Sequence, residues 1–171
     1  MHSLFRSMLR LKRVSMFTEG MTASQVLEMY RDDVNKLAGY LTWLEEKSGK
    51  SVSSVYSGDG VADHSVAFPV YDAMLMRFIK DAENTAFMDR NYRYVYSRNR
   101  LKTVEDELKL IESVSILQMD LLGGIMSNYV MGGRTRARLW SEGMNTGVFY
   151  HIIKKSKELV DFWTNAESAG I

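Results

Sequence analysis

Cysteine is absent from this sequence, which removes disulfides, thiolate metal sites and cysteine nucleophiles in one step. That suits a reducing compartment, so a cytoplasmic location is the expectation. Histidine is scarce: His2, His64 and His151 form no His-x-x-x-His or Glu-x-x-His pair, so neither a metal nor a cofactor is expected. No apolar run approaches the roughly 20 residues needed to span a bilayer, because Arg and Lys interrupt the best hydrophobic stretches. The chain is therefore not read as an integral membrane protein. Proline occurs once. Pro69 predicts the first turn of a helix, where a missing amide hydrogen costs nothing.

What remains is the composition of a soluble globular protein: 171 residues, 46% hydrophobic and 25% charged, enough for one domain with a sizeable core. The net charge of +1 hides an asymmetry. Residues 1–20 hold Arg6, Arg10, Lys12 and Arg13 against Glu19 alone. Taking these from 22 bases and 21 acids leaves 18 bases against 20 acids. The body is slightly acidic, so any binding of nucleic acid must come from a local patch. Residues 1–20 are read as a flexible N-terminal extension that folding does not need, ahead of a single helical domain over 21–171. The alternative for this acid-free, Arg- and Ser-containing start is an organellar transit peptide.

The fold predicted is all-α, a single compact domain of five or six helices. Thr22 and Gln25 have capping-box spacing and open a helix whose apolar stripe Val26, Tyr30, Val34, Leu37, Leu41 and Leu44 runs to Ser48-Gly49. Residues 49–68 carry serine, glycine and aspartate at turn-forming density and predict one long Ser/Gly-rich loop, with a short strand over Val52–Tyr56 as an option. Tyr92, Tyr94 and Tyr96 alternate with Arg93 and Val95, a period of two that favours an extended segment. Its one available partner for a two-stranded ribbon is Val52–Tyr56. Otherwise the segment is an irregular crossover or a short helix. Thr103 and Ser115 each start a helix of a hairpin, and Gly132-Gly133 supplies a left-handed stop. Gly123-Gly124 inside the second helix predicts close helix contact or a kink. A short helix or turn then ends at Gly143, and a long final helix runs from about Asn145 to Thr164.

Several chemistries fail on spacing. Asp63-His64-Ser65 holds triad residue types, but neighbours in sequence cannot point at one another in the required relay. Glu107-Leu-Lys109 lies in a charged helix start and reads as a solvated face. Gly132-Gly-Arg-Thr-Arg136 has the glycine and cations of a phosphate loop without its spacing or preceding strand.

The most informative stretch runs from Arg90 to Lys102, with five cations and three tyrosines but no carboxylate. Such residues pair with phosphates and stack on bases. The candidate binding residues are Arg90, Arg93, Tyr94, Tyr96, Arg98, Arg100, Arg134 and Arg138. If residues 134–138 are regular helix, Arg134, Arg136 and Arg138 splay over about 200°, and their alternative role is to cap the carbonyl end of the preceding helix and bridge to Glu142 or another acid. The function expected is that of a small non-enzymatic binding or regulatory protein contacting nucleic acid or an acidic partner. Two other readings compete. One is a protein-interaction module using a Met-rich apolar surface around Met74, Met76, Met119, Met126 and Met131. The other is an enzyme with a polar pocket, lined by Asp63, His64, Tyr92, Tyr96 and Arg134.

Overall fold

The computed structural model describes residues 20–49, 53–56 and 68–170. The expectations for residues 1–19 and for most of the Ser/Gly-rich loop fall outside these residues. The described chain is mostly helical. In order it forms α1 (Ala23–Ala38), α2 (Leu41–Lys47), β1 (Ser53–Tyr56), β2 (Phe68–Tyr71), α3 (Ala73–Glu83), α4 (Tyr92–Arg98), α5 (Val104–Ser113), α6 (Met119–Val130), α7 (Arg138–Asn145) and α8 (Val148–Ser168), with single 3₁₀ turns at Ile116–Gln118 and Gly132–Arg134.

Local chemistry sets most of these boundaries. At the start of α1, Gln25 N donates to Thr22 Oγ1 (3.2 Å) while Thr22 N donates to Gln25 Oε1 (2.9 Å), the reciprocal capping expected from the sequence. Asp106 does the same at α5, its Oδ2 accepting from Thr103 N (3.1 Å) and Lys102 N (3.0 Å). The helix expected to run from Thr22 to Ser48 is instead two. Gly39 N closes on the carbonyl of Lys36 (3.3 Å), tightening the last turn of α1, and Tyr40 opens α2. The bend is fastened by Tyr40, whose Oη donates to Asp81 Oδ2 on α3 (2.6 Å) and whose ring meets Phe78 edge-on at 5.3 Å. Burial and that bond push the Tyr40 hydroxyl up to about 12.

Pro69 lies in β2 and not in a helix. The aspartate three residues later captures the start of α3, with Asp72 Oδ1 accepting from Met74 N (2.7 Å). β1 pairs with β2 antiparallel, Val55 opposite Pro69. Both strands of a two-stranded ribbon are edges, where proline is tolerated. The partner weighed for Val52–Tyr56, the Tyr92–Tyr96 segment, is helical.

The core is built where α1, α3, α6 and α8 meet, with Tyr30, Phe78, Phe87, Leu122 and Phe149 almost wholly buried. Phe149 is its hub, 5.0 Å from the ring of Phe78 and 5.8 Å from that of Tyr129. α1 and α8 run antiparallel: Ser24 Oγ donates to Glu167 Oε1 (2.6 Å), and further along Lys157 Nζ donates to Asn35 Oδ1 (2.9 Å). No helix among the described residues is long and apolar enough to cross a membrane.

Three glycine expectations resolve differently. Gly123-Gly124 does mark close contact: a Cβ on Gly123 would sit 2.7 Å from the Phe87 carbonyl oxygen, and one on Gly124 would sit 2.5 Å from Val95 Cγ2. Gly132 and Gly133 are not left-handed. They make room, since a Cβ on Gly133 would fall inside the Trp140 indole, whose Nε1 donates to the carbonyl of Val130 (2.9 Å). Gly143 lies within α7, and the left-handed stop comes at Gly147 (φ 79°).

Candidate functional site

The stretch from Arg90 to Lys102 is held against α6 by its loop and by one buried side chain. The loop before α4 has its backbone satisfied by side chains: Ala86 N donates to Asp33 Oδ2 (2.7 Å) and Asp89 N to Ser127 Oγ (2.8 Å). Val95 then packs onto the bare backbone of Gly124, so the glycine sets how closely α4 approaches.

The Tyr92–Tyr96 segment takes its short-helix alternative, as α4, and not the favoured extended form, because the burial period is helical. Val95 is buried, Tyr92 and Tyr96 are half-buried one turn apart beside it, and Arg93, Tyr94, Ser97 and Arg98 face outward. Alternation of tyrosine with arginine was therefore a misleading signal.

Beneath α4 lies a carboxylate that the sequence reading left on a solvated face. Glu107 is only 6% exposed. Its Oε1 accepts from Tyr96 Oη (2.9 Å) and its Oε2 from Tyr129 Oη (2.5 Å), joining α4, α5 and α6 at one group. Burial raises the Glu107 carboxyl above the usual range, against the pull of the two hydroxyls. Burial, with the neighbouring Glu107, pushes both tyrosine hydroxyls well above the ordinary phenol value. Lys109 is solvated as expected and pairs with Glu105 (3.3 Å). Spacing could have exposed the error, because Glu107 falls between Val104 and Ile111 on the apolar face of α5.

Arg90, Arg93, Arg98, Arg100 and Lys102 are all exposed. The ion pairs among the described residues use Arg31, Lys36, Lys109, Arg134, Arg138 and Lys157, and none of these five. At about 100° per residue the exposed set divides in two. Tyr94 and Arg98 share one flank of α4, where the guanidinium lies 5.6 Å from the ring centroid and Nη1 donates to Tyr94 Oη (3.2 Å). Tyr94 keeps 61% of its surface exposed. On the other side Arg93, Tyr96, Ser97, Arg100, Leu101 and Lys102 border an open groove of about 630 Å³.

Arg100 closes that groove in a backbone conformation usually left to glycine, with φ 53°. Arg100 N donates to Ser97 O (3.4 Å) and Leu101 N to Tyr96 O (3.0 Å), the paired reversal bonds that end a helix through a left-handed residue.

For Arg134 and Arg138 the structure shows the acid-bridging part of the alternative expectation. Arg134 Nη2 pairs with Glu83 (2.6 Å) and Arg138 Nε with Glu142 (3.5 Å). Arg136, which was not among the candidate binding residues, comes near Tyr92 at the start of α4. A Cβ placed on Gly132 would lie 3.8 Å from Tyr92 Oη and 4.0 Å from Arg136 Nη2, so both side chains reach the same spot. Asp63 and His64 lie outside the described residues, so their approach to Tyr92, Tyr96 and Arg134 is not part of the geometry. Of the methionines, Met119 and Met126 are core, while Met76 is 38% exposed.

No protein-family model matches the chain, and comparison with curated proteins and with solved structures finds no match.

Proposed function

We propose that this chain is a non-enzymatic binding protein that engages single-stranded nucleic acid through α4 and the turn that follows it. The observation that carries the reading is the set of exposed cations on and flanking one short helix, Arg90, Arg93, Arg98, Arg100 and Lys102, unpaired with acids among the described residues, with the exposed ring of Tyr94 beside Arg98. Arg31, Arg134 and Arg138 are paired with acids, so a local collection of cations without acids is a place where phosphates replace missing counter-charges. Tyr94 offers a ring face to a base, and Arg98 beside it adds a guanidinium plane.

Binding across a salt series tests this. Each phosphate contact contributes about −0.7 to the slope of log K against log salt for a single strand. Arg93→Ala with Arg98→Ala should flatten that slope by about 1.4 while weakening binding. Tyr94→Ala should cost about 1–3 kcal/mol and leave the slope nearly unchanged. Absence of any association by the wild type at low salt removes the reading. Displacement of the oligonucleotide by polyglutamate at equal charge, together with indifference to Tyr94→Ala, moves an acidic protein partner to first place.

A further inference from the structure

We infer that the groove at the C-terminal end of α4 takes the terminal phosphomonoester of a single strand. This deepens the interface reading and rests on it. Arg93, Arg100 and Lys102 border one concavity, and no ion pair among the described residues uses any of them. An internal phosphodiester brings a single negative charge to such a place. A monoester brings about −1.5 to −2 at neutral pH, with three acceptor oxygens. Two guanidinium forks and an ammonium match the second far better, the forks pairing oxygens two at a time and the lysine acting as a point charge.

The walls agree with a nucleotide at that end. The volume of about 630 Å³ falls among clefts that hold small ligands. Tyr96 has its hydroxyl committed to Glu107, so what it adds to the groove is ring surface, and Leu101 adds aliphatic surface beside it. Of the carboxylates that follow in sequence, Glu105 pairs with Lys109 (3.3 Å) and Asp106 is committed to the backbone amides of Lys102 and Thr103. Arg100 supplies the last argument. Glycine would satisfy φ 53° at no steric cost, and a residue held there against preference is a feature that accompanies ligand clamps.

The test uses the full chain and three thymidine decanucleotides, one with hydroxyls at both ends, one with a 5′-phosphate and one with a 3′-phosphate, followed by fluorescence anisotropy at fixed salt. One phosphorylated oligomer should bind about fivefold tighter or more than the hydroxyl-ended one. That ratio should fall to near one in both Lys102→Ala and Arg100→Gly, whatever either change does to the hydroxyl-ended oligomer. Equal affinity of the wild type for all three overturns the inference and leaves the interface reading standing. A preference that survives both substitutions also overturns it, because the end would then sit elsewhere. Displacement by thymidine monophosphate at the concentration at which the preferred oligomer saturates overturns it in favour of a free nucleotide. Failure of every oligomer to bind at low salt is a different result, and it removes the interface reading itself.

Discussion

Replacing Arg100 by glycine should make the protein more stable and a poorer binder. An L-residue in the left-handed helical region costs about 1–2 kcal/mol relative to the right-handed one, and Arg100 sits there at φ 53°. Glycine removes that strain but adds freedom to the unfolded chain, which costs about 0.5–1 kcal/mol. The net gain is about 0.5–1 kcal/mol. For a chain of this size each kcal/mol moves Tm by about 2–4 °C, so the expected rise is about 1–4 °C. The reversal bonds from Arg100 N to Ser97 O and Leu101 N to Tyr96 O are made by the backbone, so glycine retains them. Arg100→Ala is the control, because it removes the guanidinium and keeps the strained φ. Calorimetric melts of the three proteins decide the matter. A lower Tm for Arg100→Gly, or an equal rise for Arg100→Ala, refutes the strain argument.

Other outcomes follow from packing, capping and titration. Gly124→Ala places a methyl 2.5 Å from Val95 Cγ2 and 2.8 Å from Val95 Cβ. The overpacking, about 1–3 kcal/mol, outweighs alanine's helix advantage, so chemical denaturation should show a net loss of about 1 kcal/mol. That loss should shrink but persist in a Val95→Ala background, where Cβ remains in the way. Thr22→Ala removes the acceptor for Gln25 N and should lower stability by about 1 kcal/mol in the same assay. Glu107 is raised by burial, so the folded state holds its proton more tightly than the unfolded one. Its contribution is therefore fullest in acid and declines as pH climbs from about 4.3 through its raised value. Asp81, Asp106 and Glu167 are lowered and act with the opposite sign, losing stability as pH falls. Stability against pH for wild type minus Glu107→Gln isolates the first effect. A difference that grows in favour of wild type with rising pH would contradict the assignment.

Much of the helical scaffold was legible because it is written locally. Thr22 with Gln25 and Thr103 with Asp106 lie three residues apart, and a capping box is a property of those residues alone. Gly123-Gly124 announced close contact for a similar reason, since a pair of glycines inside a helix implies something pressed against it. What approaches them, Phe87 and Val95, was not legible. The bend at Gly39–Tyr40 depends on Asp81, 41 residues away, and Tyr40 gives no local sign of it. The site was legible in composition and illegible in arrangement. All five cations of the Arg90–Lys102 stretch reach the surface, yet their division between the Tyr94 flank and the Tyr96 groove requires α4 to be a helix, and the alternation of tyrosines argued for a strand. Glu107 was misread because its charge outweighed its position between Val104 and Ile111.

α4 has one buried side chain, Val95, and is otherwise held by half-buried tyrosines and the bond from Tyr96 to Glu107. Sub-global opening is easiest where few buried apolar side chains are lost, so α4 is expected to open from α6 before the core around Phe149 does. Its amides should then exchange with solvent sooner than those of α6 or α8, through an opening that costs less than global unfolding. A ligand bridging the groove and the Tyr94 flank would bind only the closed form, and so would slow exchange along α4 far more than in the helices behind it.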